Sequence, residues 1–139
     1  MKEKKRLWSG YKVYRKGYQT ELRLVKLLEG HGWFATRVPR SGKGLRPDVI
    51  AIKAGRILIL EVKRRKYVSV VYLPKTEVES LLDIARTVGG EAYVAVWGWR
   101  QHYWGFKPLE RYTKETKTHY VYGRRPRWMT LEEVVSPAR

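Results

Sequence analysis

The chain has 139 residues, 43% of them apolar, which is the size and composition of one domain with one core. Thirty Lys and Arg against thirteen Asp and Glu give a formal charge of +17, so a polyanionic partner is expected, nucleic acid before membrane, since no run reaches spanning length or joins a long apolar face to a basic one. The absence of cysteine excludes disulfides and thiolate chemistry, and His31, His102 and His119 are too scattered for a zinc site, so any metal must be held by oxygen.

Residues 1–17 carry many cations, few apolar residues and two glycines, which reads as a mobile basic arm that orders on nucleic acid. Residues 18–139 are then one domain. The basic start, Met1 to Arg6, is not followed by an apolar stretch of signal-peptide length, which predicts an intracellular, cytoplasmic and nucleoid-associated protein. From Tyr18 to about Gly30, the apolar positions Leu22, Val25 and Leu28, with Leu24 and Leu27, recur at helical spacing, and Gly30 and Gly32 stop the pattern. Trp33 to Val38 predicts a strand, and the Pro, Gly and Ser content of Pro39 to Pro47 predicts a loop.

Two apolar runs follow, Asp48 to Ile52 and Ile57 to Lys63, and the Lys53 to Arg56 segment between them holds Gly55, which predicts a hairpin. A β-rich segment, Tyr67 to Leu73, precedes Pro74, which suits the first turn of a second helix through about Val88, ended by Gly89 and Gly90. Its stripe of Val78, Leu81, Leu82 and Ala85 is core. Glu91 to Trp97 is a further buried strand, with Tyr103 to Phe106 as its partner. The remainder is less regular until Thr130, which with Glu133 forms a Thr-x-x-Glu capping box opening a short final helix. This order gives an α/β domain with a central mixed β-sheet flanked by helices.

Between Gly30 and Thr76 there are eleven Lys and Arg but only two acids, Asp48 and Glu61. If Ala54 and Gly55 form a two-residue turn, Lys53 faces Arg56, Ile52 faces Ile57, and Asp48 falls opposite Glu61. Cross-strand carboxylates so placed are about 5 Å apart and repel unless a cation lies between them. Oxygen-only ligation by a few carboxylates and water is what Mg²⁺ prefers. Lys63, two residues beyond Glu61, shares its face. Such a trio suits phosphodiester hydrolysis, with Lys63 orienting the water or neutralising the transition state. Spacing alone is equally compatible with Asp48 capping a strand and Glu61 and Lys63 forming a surface salt-bridge pattern. Moreover, Ala-Gly is not a preferred two-residue turn, and a longer loop would shift the register. Glu61 nevertheless ends an apolar run, and a charge abutting a buried sheet usually has a reason.

Pro47-Asp48, then Glu61-Val62-Lys63 with Glu61 thirteen positions beyond Asp48, resembles the PD-(D/E)xK nuclease motif. The flanking pattern is similar to the archaeal Holliday junction resolvases: Arg15-Lys16-Gly17 ahead of Glu21, the Arg40-Ser41-Gly42 loop, and Gly89-Gly90 before an apolar strand. The likeness covers residues 15 to 97 in matching order. It implies a restriction-endonuclease-like nuclease fold and a homodimer that binds a four-way DNA junction and cuts two opposing strands with Mg²⁺, Mn²⁺ being a substitute. It assigns metal binding to Asp48 and Glu61 and a catalytic role to Lys63, adds Glu21 as a further acid at the metal, and makes Ser41 an active-site residue. On their own, Glu21 reads as a helix first-turn acid and Ser41 as a turn former. Leu22 and Lys43 depart from the family pattern, which often has Arg and Ser there.

Cations flank the proposed site: Arg15 and Lys16 ahead of it, Arg37, Arg40, Lys43 and Arg46 around the loop, and Arg64, Arg65 and Lys66 beyond Lys63. Their expected role is phosphate contact, giving affinity without sequence recognition. Trp97 and Trp99 on one strand face, with Trp104, Tyr93 and Tyr103, predict core or a subunit interface before base stacking. Three other readings remain: a nuclease of the same fold with another DNA target, a DNA-binding architectural protein with structural carboxylates, and an RNA-binding module. No small-molecule cofactor beyond the metal is expected.

Overall fold

The computed structural model describes residues 2–39 and 46–137, with side chains from residue 15 onward. Its elements in chain order are α1 (Lys2–Gly30), β1 (Phe34–Arg37), β2 (Val49–Lys53), β3 (Arg56–Arg65), β4 (Val71–Pro74), α2 (Lys75–Val88), β5 (Glu91–Gly98), β6 (Tyr103–Pro108), β7 (Lys114–Glu115), β8 (His119–Tyr122) and α3 (Leu131–Val135).

The hairpin of β2 and β3 has the expected register: Lys53 pairs with Arg56, Ile52 with Ile57, and the pairing runs out to Val49 and Leu60. The turn is closed by backbone that Ala-Gly rarely supplies. Ala54 sits at φ 50° and Gly55 at φ 82°, the left-handed pair that a two-residue turn needs to match the strand twist. β3 pairs antiparallel with β2 but parallel with β5, so the five-stranded sheet, in the order β1-β2-β3-β5-β6, is mixed. The crossover from β3 to β5 contains α2. That helix ends where Gly89 turns left-handed at φ 69°, and a Cβ on Gly90 would lie 2.8 Å from the Ile57 carbonyl oxygen, so the doublet lets α2 return closely over β3.

Because side chains alternate across the sheet, β3 feeds two cores. Leu58, Leu60 and Val62 pack with Leu24, Val25 and Leu28 of α1, whereas Ile59 packs with Val78, Leu81 and Ala85 of α2. The capping box at α3 is formed as predicted, with the Thr130 hydroxyl accepting from the Glu133 amide and the Glu133 carboxylate accepting from the Thr130 amide.

Three expectations are corrected. The helix expected from Tyr18 starts at Lys2, so the backbone of residues 2–17, read as a basic arm, continues the helix; Lys and Arg are good helix formers, and their density concealed this. β4 belongs to a second sheet, β4-β8-β7, that was not foreseen because β7 is only two residues long. Finally, β5 ends at Gly98, so Trp97 and Trp99 do not share a strand face. Trp97 is buried against α1, and no described helix is long and apolar enough to cross a membrane.

Candidate active site

The hairpin fixes where the acids point. Asp48 extends β2 by one residue: its amide donates to the Leu60 carbonyl at 3.0 Å, and its Oδ2 accepts from the Val62 amide at 2.8 Å. Alternation puts Asp48, Glu61 and Lys63 on the sheet face covered by α2. Asp48 and Glu61 are each only 4% exposed, a degree of burial that charged groups reach only with partners. Lys63 Nζ lies 3.2 Å from Glu61 Oε1 and 3.9 Å from Glu77 Oε1.

Glu77 is the residue that the sequence reading missed. It sits in the first turn of α2 and hydrogen-bonds Glu61, so two carboxyls and an ammonium meet beside Asp48. An acid in a helix first turn is ordinary. Only the crossover that lays α2 over the end of β3 gives it a second meaning. The crowding shows in the titration: burial, then the Asp48 charge, then the bond to Glu77 push the Glu61 carboxyl up to about 9, against the opposing pull of Lys63.

Among the described residues, no three Asp, Glu, His or Cys side chains form a ready-made cage for an ion. The donor chemistry nonetheless fits a hard divalent cation, which takes one or two carboxylates and fills its other positions with water and substrate oxygens. Burial and the Asp48 charge raise the Glu61 carboxyl despite Lys63, and a divalent cation between the two acids would offset both effects.

The other expected residues are distributed around this centre. Glu21, on α1 across the sheet, is buried and ion-paired with Arg37 at 2.9 Å, while the Arg37 guanidinium stacks 4.2 Å from the Tyr18 ring centre. Arg15, Lys16, Arg46, Arg65 and Lys66 are exposed, and Arg64 is half-buried. Arg40, Ser41 and Lys43 lie outside the described residues. A groove of about 910 Å³ lies elsewhere, lined by Leu22, Arg23, Leu27, Trp97 and Trp104 on the α1 face.

A family model described as archaeal Holliday junction resolvase (Hjc) matches residues 12–139. The chain is 34% identical over 84 residues to the crossover junction endodeoxyribonuclease Hjc of Sulfurisphaera tokodaii, covering 58% of this chain and 58% of that protein. It therefore spans less than two thirds of that relative's length. With the protein of the same name from Archaeoglobus fulgidus it is 38% identical over 108 residues, 76% of this chain and 78% of the other. The solved structure of Archaeoglobus fulgidus Hjc, a Holliday junction resolvase from an archaeal hyperthermophile, superimposes with a TM-score of 0.74 at 33% identity, over 86% of this chain and 94% of that one. The mixed sheet flanked by helices is thus the expected restriction-endonuclease-like fold.

Proposed function

The chain belongs to the archaeal Holliday junction resolvase family, and from that premise we propose that it is a structure-specific endodeoxyribonuclease resolving four-way DNA junctions in recombination and repair. The observation that carries this reading is the convergence of the buried acids Asp48 and Glu61 with the half-buried Lys63 at the end of one hairpin, on the α2 face, in a chain of charge +17. Asp48 and Glu61 would hold the Mg²⁺, with Mn²⁺ as a substitute, and a bound ion would supply polarisation of the phosphate and activation of a water.

The remaining steps belong to the chain itself. Lys63, an ammonium kept near its carboxylate partners, reaches the scissile phosphate and offsets charge gathering on its oxygens. Asp48 is fixed before any ligand arrives, because its Oδ2 is tied to the Val62 amide. The family likeness adds Glu21 as a further acid, which here is held by Arg37 on the α1 side of the sheet rather than beside Glu61. Arg15, Lys16, Arg40, Lys43, Arg46, Arg64, Arg65 and Lys66 contact phosphates, and Ser41 is the active-site residue that the family likeness implies. One chain has one such centre, and two opposed cuts in a symmetric junction need two, so the working form is a homodimer.

A cleavage assay tests the reading: four-way DNA is cut by wild type with Mg²⁺, not without it, and not by Glu61→Ala or Lys63→Ala, while both variants still bind. Normal cutting by both variants refutes it. Equal cutting of linear duplex and junction assigns the same chemistry to another DNA target.

A further inference from the structure

Just past Lys63, β3 runs into a segment fastened to the turn that joins β5 to β6. The Trp99 amide donates to the Arg65 carbonyl at 2.9 Å, the Arg100 amide to the Lys66 carbonyl at 3.1 Å, and the Val68 amide to Gln101 Oε1 at 2.7 Å. Gly98 makes the approach possible, since a Cβ there would lie 2.5 Å from Gln101 Oε1 and 3.0 Å from the Val68 nitrogen. On this fastened ridge, the guanidinium carbons of Arg64 and Arg100 lie 5.0 Å and 5.3 Å from the centre of the same Trp99 ring.

We propose that Arg64, Trp99 and Arg100 form a preformed clamp for the DNA sugar-phosphate backbone at the end of β3, on the α1 side of the sheet and distinct from the cleavage site on the α2 side. The proposal rests on the reading of the protein as a DNA enzyme. Two like charges on one ring repel each other, and the attraction of each to the indole, about 0.5–1 kcal/mol at an exposed site, is modest. Among the described residues, no ion pair joins either guanidinium to a carboxylate. A phosphate supplies the missing negative charge and matches the planar fork of an arginine. A second copy of the chain does not, because it brings the same cations to the contact. Trp99 therefore acts as a positioning residue: it holds two arginines in place so that little of their freedom is lost when DNA arrives.

The test is binding of a labelled four-way junction in EDTA over a salt titration, with Arg64→Gln/Arg100→Gln and Trp99→Leu. Removing both arginines lowers the slope of log affinity against log salt by about 2 and weakens binding at least tenfold at moderate salt. Trp99→Leu, which leaves net charge unchanged, weakens binding roughly three- to tenfold. The clamp is overturned if the double variant keeps the wild-type slope and affinity, or if either variant dissociates a dimer in sedimentation, which makes the surface a subunit interface. The double variant changes one half-buried and one exposed arginine, neither ion-paired among the described residues, so its result stands even where Trp99→Leu folds poorly. If wild type prefers linear duplex to junction, the resolvase reading fails while the clamp is still judged by the same slope on duplex. If Lys63→Ala abolishes cutting and the double variant binds normally, the clamp fails alone.

Discussion

Glu61→Gln separates a buried acid held for function from one that merely packs. With its carboxyl pushed from 4.5 up to about 9, Glu61 in the ion-free fold keeps a proton that the unfolded chain releases above pH 4.5. Folding then takes up a proton, and stability falls as pH rises from 4.5 towards 9 before levelling off. The slope is about 1.4 kcal/mol per pH unit for one proton. Between pH 4.5 and 7 the loss is therefore roughly 3 kcal/mol, a large part of a domain's usual margin. A glutamine keeps the shape without the ionisation, so the variant should be close to wild type at pH 5 and increasingly more stable by pH 8. Urea unfolding in EDTA at a series of pH values, read as the difference between the two proteins, cancels the other titrating groups. A divalent ion should then stabilise wild type more than the variant. Parallel wild-type and variant profiles would refute the assignment of that proton to Glu61.

Further expectations follow from the same geometry. Ala54→Asn relieves a left-handed alanine in the hairpin turn and should stabilise the fold by about 1 kcal/mol in thermal melts; a loss of stability would contradict the turn geometry. Glu77→Gln leaves Lys63 with a weaker second partner, and kcat on junction DNA should fall while junction affinity in EDTA stays put; an unchanged kcat makes Glu77 purely structural. Leu81→Ala opens a void between α2 and the sheet at a fully buried position, and denaturant titration should show a loss of about 2–5 kcal/mol.

The fold was most legible where a single periodicity governed a segment. Alternating apolar residues and Gly55 were enough to place Asp48 opposite Glu61, although the turn needed Ala54 in a conformation that its residue type disfavours. Helix ends marked by Gly89 and the Thr130 box were also readable. What the sequence concealed depended on long-range placement. Glu77 looks like any first-turn acid until the crossover lays α2 over Lys63. Arg37 reads as a phosphate contact, and its ion pair with Glu21, sixteen residues earlier in the chain, is not legible from the sequence. Trp99 reads as strand, yet it lies beyond Gly98, where backbone bonds to Arg65 make it a platform for two arginines. Cation-rich residues 2–17 looked like an arm because charge signals solvation regardless of backbone conformation.

The central claim is that Asp48, Glu61 and Lys63 cut a DNA junction together with a divalent ion. Single-turnover cleavage of a four-way junction by Lys63→Ala, at protein concentrations where binding is saturated, tests it most directly. The expected result is full binding with the cleavage rate lowered by a hundredfold or more, on the order of removing one transition-state charge contact. A variant that binds and cuts at the wild-type rate would contradict it.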